Sequence, residues 1–212
     1  MTILAVLLSQ VVDGRSILLL ALVVIWAARL GTFLFRRIHK AGKDVRFDEI
    51  KPSFIRFLNT WTLQGLWVTF TLAAALAAIT TTTRKELGLF ALIGFLIWIF
   101  GFAFEVTADA QKSRFRADPA NKDKFIQTGV WAWSRHPNYF GEIVLWIGVA
   151  VIILPILRGW QWVTLISPIF VALLLTRISG VPMLEKRADE KWGGQEAYEA
   201  YKERTPVLIP RP

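Results

Sequence analysis

The chain has no cysteine and only two histidines, His39 and His136, among its 212 residues. Without cysteine it can form no disulfide, no thiolate nucleophile and no cysteine-ligated zinc site. The two histidines lie too far apart in sequence to match any recognised spacing of metal ligands. We therefore predict no metal site.

The common nucleotide and hydrolase motifs are also missing. The sequence contains no G-x-G-x-x-G fingerprint after a strand, no Walker motif, no G-x-S-x-G elbow and no H-E-x-x-H pair. A Rossmann or P-loop site is therefore excluded. No Gly/Ser-rich or Pro-rich linker and no repeat divides the chain. We predict one transmembrane domain over residues 1–212.

Apolar residues are abundant: 54% of the chain is hydrophobic, too much for an ordinary soluble domain of this length. Five apolar segments approach the roughly 20 residues that a spanning helix needs, the fourth only if it begins at Pro137. They cover residues 16–35, 57–83, 87–104, 143–157 and 159–176. The pattern predicts an all-α membrane protein with five to six transmembrane helices and a cytosolic C-terminal amphipathic helix.

The first residues differ from these segments. The uncharged run 1–12 is too short to span a bilayer, and it lacks the basic start and the A-x-A site of a signal peptide. We expect an interfacial or partial helix over residues 1–15.

Basic residues alternate along the chain, which has a net charge of +9. Seven lie in residues 36–56, six in 109–136 and seven in 177–212, whereas the intervening loops hold only Arg15, Arg84, Lys85 and Arg158. Cytoplasmic loops carry such an excess, so segments 109–142 and 177–212 are predicted to be cytosolic. Setting the orientation would also suffice to explain most of these cations. Charge spread over loops in this way does not favour nucleic acid as a partner.

A dense polar stretch, residues 134–142, lies between apolar segments and is called the central motif below. Pro137 suits the first turn of a helix, where its missing N–H costs nothing. Asn138 and Glu142, four residues apart, would then share one face. Buried polar groups need partners, so the cluster indicates a polar ligand, and a helix start favours phosphate. A basic loop re-entering the membrane is the alternative.

Two further polar sets have helical spacing. The first continues an apolar segment at positions i, i+4, i+7 and i+11: Glu105, Asp109, Lys112 and Arg116. The second belongs to the tail and has three-residue spacing: Tyr198, Tyr201 and Arg204. A solvated face and a helix lying on the membrane surface are the alternative explanations. Together the three sets offer cations for phosphate and carboxylates for hydroxyls, which suits a cytosolic nucleotide pocket with an apolar substrate entering from lipid.

Gly129-Val130-Trp131 followed by Ser134-Arg135-His136-Pro137-Asn138-Tyr139-Phe140-Gly141-Glu142 resembles the signature of the steroid 5α-reductase and sterol C=C reductase superfamily. Four other segments resemble its bacterial branch, often labelled DUF1295, which shares a membrane fold with isoprenylcysteine methyltransferases. They are Gly42-Lys43-Asp44-Val45-Arg46, Asp109-Ala110-Gln111-Lys112, Ser179-Gly180-Val181-Pro182 and Tyr201-Lys202-Glu203-Arg204-Thr205.

The resemblance implies an NADPH-dependent reductase of a carbon–carbon double bond conjugated to a ketone in a lipid-like, steroid-type substrate. It implies a place in the bacterial inner membrane, with the cofactor site facing the cytoplasm and membrane lipids as partners. The cofactor-binding positions it implies are Asp109, Lys112, Arg116, Arg135, His136, Asn138, Tyr139, Glu142, Tyr198, Tyr201 and Arg204. Tyr139 and Glu105 are the predicted catalytic residues that would polarise the ketone oxygen.

One departure from the family pattern concerns the substrate. Animal 5α-reductases are thought to hold the ketone with a Glu and a Tyr upstream of the nucleotide site, but no tyrosine precedes Tyr139 here. Membrane methyltransferases that bind S-adenosylmethionine share the Arg-His-Pro-x-Tyr-x-Gly core and remain an alternative. Asn138 and Glu142 favour the reductase branch. A non-catalytic lipid-binding relative is the third possibility.

Overall fold

The computed structural model describes residues 1–9, 11–41 and 50–212, and all of its regular elements in that part of the chain are helical. These residues form eight α-helices in chain order: α1 Thr2–Leu8, α2 Gly14–Ala41, α3 Phe54–Thr80, α4 Leu89–Ala117, α5 Pro137–Ile153, α6 Ile166–Leu173, α7 Val181–Trp192 and α8 Glu196–Arg204. Of the segments that resemble the DUF1295 branch, Gly42 to Arg46 lies outside the described residues.

Within the described part of the chain, five helical stretches are long and apolar enough to cross a membrane: Gly14–Arg36, Phe54–Thr80, Leu89–Ala117, Pro137–Ile156 and Gly159–Trp192. They confirm the predicted all-α, multi-pass membrane fold. The fourth stretch begins at Pro137 as expected, because proline needs no intrahelical donor there. α1 has seven residues and is too short to span. α8 forms the predicted C-terminal helix.

The described residues form two compact units. The first contains Met1–Ala91 and Ile153–Ser167, and the second contains Leu92–Ile152 and Pro168–Pro212. In the first unit, the buried Arg15 donates hydrogen bonds to the carbonyls of Lys85 (2.7 Å) and Glu86 (3.0 Å). Arg84 likewise donates to the carbonyl of Val11 at 2.7 Å. These arginines therefore hold loop backbone in addition to any effect on orientation.

All three predicted polar sets belong to the second unit, where a seam of glycines joins α4 to α5. A Cβ on Gly94 would lie 2.6 Å from the carbonyl oxygen of Gly148, and one on Gly101 would lie 2.6 Å from that of Gly141. The glycines of each helix are seven residues apart and so share a face. Small residues of this kind allow two helix backbones to approach closely. The seam brings α4 directly against the start of α5.

The last apolar stretch is not one regular helix. A 3₁₀ segment, Gly159–Leu165, precedes α6, and a π-helical turn, Leu174–Ile178, separates α6 from α7. A Cβ on Gly180, just after the turn, would lie 2.9 Å from Cε2 of Tyr139. π-Turns are frequent at functional sites. The turn ends beside the central motif.

Candidate functional site

The second unit contains a cavity of about 510 Å³, within the usual range for small-molecule sites. It is bordered by the end of α4, residues 121–126, residues 131–136, α7 and α8. Six of the predicted cofactor-binding residues line it together: Lys112, Arg116, Arg135, His136, Tyr198 and Tyr201. Residues from all three predicted polar sets therefore meet at one cavity.

The lining is strongly cationic. Seven lysine and arginine side chains line the cavity, against two carboxylates, Asp123 and Glu185. The cations are Lys112, Arg116, Lys122, Lys124, Arg135, Arg187 and Lys191. A concave site dominated by one sign of charge attracts ligands of the opposite sign. The cavity therefore favours an anionic ligand.

A compact ionic cluster forms part of the wall. One oxygen of Glu185 lies 3.1 Å from a terminal nitrogen of Arg135, and the other lies 2.7 Å from Nε2 of His136. The Arg135 side chain is 13% exposed and that of His136 only 6%, so solvent screens these contacts weakly. Glu185 thus fixes the positions of two residues of the central motif.

Sequence reasoning did not identify Glu185 as a site residue. It lies on α7, 49 residues after His136, and no local motif connects the two. The one available signal was its place a turn after the Ser179–Pro182 segment that resembles the family.

A C-terminal strap, residues 205–211, runs beside residues 132–136. Six hydrogen bonds join them. Three are between backbone groups: Arg135 N–H to Pro206 O (2.9 Å), His136 N–H to Val207 O (3.1 Å) and Arg211 N–H to Trp133 O (2.9 Å). Three use hydroxyls: Ser134 Oγ to Leu208 O (2.9 Å) and to Val207 O (3.4 Å), and Thr205 Oγ1 to Ala132 O (3.5 Å). The strap gives partners to backbone groups that would otherwise be unsatisfied just before α5. The strap therefore fixes the backbone of Arg135 and His136, and Glu185 fixes their side chains.

Aromatic rings complete the walls. Nζ of Lys112 lies 4.2 Å from the ring centre of Trp131, a cation–π contact, and the Trp131 indole N–H donates to the carbonyl of Ala108 at 3.0 Å. Phe125 packs against Tyr198 and Tyr201, with ring centres 5.3 and 5.4 Å away. Such rings offer flat apolar surface for a base or another planar ligand.

Two tyrosines of α8 are held neutral by their surroundings. Burial raises the pKa of Tyr201 to about 12, and burial together with the Asp189 carboxylate raises the pKa of Tyr198 above its ordinary value. The hydroxyl of Tyr198 donates to Asp189 at 3.1 Å, and that of Tyr201 donates to the Trp131 carbonyl at 2.7 Å. At neutral pH both side chains therefore act as hydrogen-bond donors.

The remaining predicted site residues belong to α4, α5 and α8, but they are not among the residues that line the cavity. Those of α4, Glu105 and Asp109, are buried, and those of α5, Asn138, Tyr139 and Glu142, are partly buried. The Tyr139 ring stacks on His136 with centres 5.6 Å apart, and Arg204 donates to the side chain of Gln127. Their catalytic and cofactor-binding roles stay predictions. Among the described residues no three His, Asp or Glu side chains are grouped as a metal site requires.

Comparison with known proteins gives a family and a distant relative. Residues 1–205 match the family model described as "Protein of unknown function (DUF1295)". "Uncharacterized protein C594.04c" of Schizosaccharomyces pombe is 23% identical over 165 residues, which covers 65% of this chain and 48% of that protein. The chain thus spans about half the length of that relative. No solved structure matches it. Because the family model covers nearly the whole sequence, the chain belongs to the DUF1295 family.

Proposed function

We propose that this DUF1295 protein is a membrane-embedded, NADPH-dependent reductase of a carbon–carbon double bond conjugated to a ketone in a lipid-like, steroid-type substrate. The observation that carries the proposal is the cavity, in which seven cations and several aromatic rings border one space beside long apolar helices. Cations suit the phosphates of a dinucleotide, and aromatic faces suit its rings. The resemblance of residues 129–142 to the reductase superfamily supports the same choice.

The residues present fit such a cofactor. Nε of Arg135 and Nδ1 of His136 are buried and form no hydrogen bond within the described part of the chain. Buried polar atoms normally have partners, so these atoms leave hydrogen-bonding capacity in the wall of the cavity. Lys112 and Arg116 would hold phosphate, and the rings of Trp131 and Tyr198 would contact the planar groups.

NADPH, when bound, supplies a hydride for the β-carbon of the enone. The protein must then hydrogen-bond the ketone oxygen as the enolate forms and exclude bulk water, and a proton must reach the α-carbon to give the saturated ketone. Tyr139 and Glu105 are the proposed donors. Glu105 is buried on α4 where the glycine seam presses that helix against α5, and a Cβ on Gly141 would lie only 2.6 Å from the Glu105 backbone nitrogen.

The location of the cavity agrees with a lipid-soluble substrate. α4 is apolar for most of its length and carries Lys112 and Arg116 only in its last two turns. A cytosolic cofactor and a membrane-dissolved substrate could therefore approach the same unit from different environments. We propose a multi-pass inner-membrane protein whose cavity faces the cytoplasm, as the distribution of basic residues favours.

The proposed hydride transfer can be tested with deuterium-labelled NADPH. Detergent-purified protein is incubated with NADPH carrying deuterium at C4 of the nicotinamide and with 4-cholesten-3-one as the probe enone, and the product is analysed by mass spectrometry. A saturated ketone carrying one deuterium is expected. Lys112→Gln should reduce product formation, whereas Arg158→Gln, in the first unit, should not. If a panel of enones that also includes a short-chain linear one and a cyclic one yields no deuterated product, the proposal is wrong.

A further inference from the structure

The two ends of the cavity differ in charge balance. Glu185 and Lys191 both line it from α7, and six residues of helix place them about 9 Å apart along its axis. Near Glu185 are Arg135 and His136, and near Lys191 is the turn that contains Asp123. The cavity therefore has an Arg135 end and a Lys191 end.

At the Arg135 end, the charge of Arg135 itself is compensated. The Glu185 carboxylate contacts both Arg135 and His136, each at hydrogen-bond distance, so the guanidinium charge already has a counterion. The donors that remain on Arg135 are suited to a neutral acceptor such as a carboxamide oxygen. A further full negative charge would have to be held beside an existing carboxylate, which is unfavourable.

At the Lys191 end, cations outnumber acids. Asp123 pairs with Lys191 at 2.9 Å, whereas its chain neighbours Lys122 and Lys124 have no ion pair within the residues that the structure describes. Arg187 and Lys191 are four residues apart on α7, a spacing at which like charges repel. An anionic ligand would relieve this repulsion.

The geometry of the turn keeps these lysines at the cavity. Asp123 has a φ of +65°, in the left-handed region that aspartate tolerates better than most residues. Its carbonyl accepts the indole N–H of Trp192 at 2.6 Å, while its carboxylate accepts from Lys191. The turn is thus fastened to the end of α7 through both its backbone and its side chain, with Lys122 and Lys124 on either side of the fastened residue.

We infer that Lys122 and Lys124, which flank the turn residue fastened to Lys191, form a phosphomonoester subsite that binds the 2′-phosphate of NADPH and so selects NADPH over NADH. The inference rests on the proposed function and adds the residues and the orientation: the 2′-phosphate at the Lys191 end and the carboxamide at the Arg135 end. A phosphomonoester carries close to two negative charges at pH 7, which matches a group of uncompensated cations. NADH lacks the 2′-phosphate, so these residues should contribute little to its binding affinity.

The experiment compares the two coenzymes on the full-length protein in detergent. Dissociation constants for NADPH and NADH are measured by calorimetry for the wild type, for Lys122→Gln/Lys124→Gln, and for Lys186→Gln. Lys186 is a matched control because it is exposed on α7, pairs with Glu190 and does not line the cavity. The double variant should bind NADPH about tenfold more weakly while its affinity for NADH changes less than twofold, and the control should match the wild type.

Two results would overturn the inference. If the wild type binds both coenzymes equally, or if the double variant weakens both by the same factor, these lysines do not read a 2′-phosphate, although the proposed reductase function survives. If neither coenzyme binds to the wild type, the proposed function fails and the subsite fails with it. Titration with 2′,5′-ADP and with 5′-ADP is an independent test. The double variant should bind 2′,5′-ADP more weakly than the wild type does, whereas its affinity for 5′-ADP should be unchanged.

Discussion

The hydroxyl of Tyr201 donates a 2.7 Å hydrogen bond to the backbone carbonyl of Trp131, 70 residues earlier in the chain. Both residues are buried and both line the cavity. This contact joins α8 to the loop that leads into the central motif, and the C-terminal strap continues the connection to His136. The tail is therefore part of the site's framework.

Removing that hydroxyl should loosen the site. Tyr201→Phe leaves the Trp131 carbonyl without its donor, which should cost about 1 kcal/mol of stability and weaken NADPH binding severalfold. Melting temperature in detergent and calorimetric titration measure the two effects. Tyr198→Phe is the matched control, because its hydroxyl bonds the exposed Asp189 carboxylate instead of a buried carbonyl. Equal effects from the two substitutions would contradict this account of the framework.

The stability of the protein at alkaline pH should depend on the ionisation of Tyr201. The pKa of Tyr201 is raised to about 12 by burial, whereas an unfolded tyrosine titrates near 10. Between these values the folded protein binds more protons than the unfolded chain, so stability falls as pH rises. As the pH rises between these two pKa values, the melting temperature of the wild type should fall faster than that of Tyr201→Phe. The difference between the two melting temperatures should therefore narrow. A constant gap from pH 9 to 11.5 would show that Tyr201 titrates normally.

The glycine seam gives a steric prediction. In Gly141→Ala the new Cβ would lie 2.6 Å from the Gly101 carbonyl and from the Glu105 backbone nitrogen, so α4 and α5 would have to separate. Overpacking of this kind costs about 1–3 kcal/mol, and the shift should also reduce NADPH affinity.

Gly65→Ala on α3 is the control for this substitution, since nothing lies within 4 Å of its Cβ position. There the higher helix propensity of alanine should leave stability unchanged or slightly improved. A Gly141→Ala protein as stable as the wild type would mean that the helices are not in contact along the seam.

Glu185 should matter for stability but not for coenzyme choice. Glu185→Gln removes the carboxylate that pairs with the partly buried Arg135 and contacts the buried His136, and it should cost about 1–2 kcal/mol. Glu190→Gln, on the same helix but exposed and ion-paired with the exposed Lys186, should have no measurable effect. In both variants the ratio of NADH to NADPH dissociation constants should match the wild type. A changed ratio for Glu185→Gln would place the 2′-phosphate at the Arg135 end.

The sequence predicted those features that depend on local pattern. The length of apolar segments predicted the five spanning helices, Pro137 marked the start of α5, and the spacing of Tyr198 and Tyr201 predicted α8. Of the seven cations at the cavity, Lys112, Arg116 and Arg135 had been predicted as site residues from spacing and family resemblance, whereas Lys122, Lys124, Arg187 and Lys191 had not.

Other features depend on contacts between distant residues, which no local pattern specifies. Glu185 meets the central motif across 49 residues, and the strap pairs with it across about 70. The π-helical turn before α7 was also missed, because Leu174–Ile178 reads as a continuous apolar helix. Backbone hydrogen bonds of the strap use carbonyl and N–H groups that every sequence has, so composition carries no signal for them.

Whether the cationic cavity binds NADPH can be measured by calorimetric titration of the detergent-purified protein with NADPH and, separately, with S-adenosylmethionine. We predict that NADPH binds and that Lys112→Gln/Arg116→Gln abolishes or strongly weakens that binding, while S-adenosylmethionine gives no heat of binding. Binding of S-adenosylmethionine alone would contradict the account and identify the cavity as a methyl-donor site.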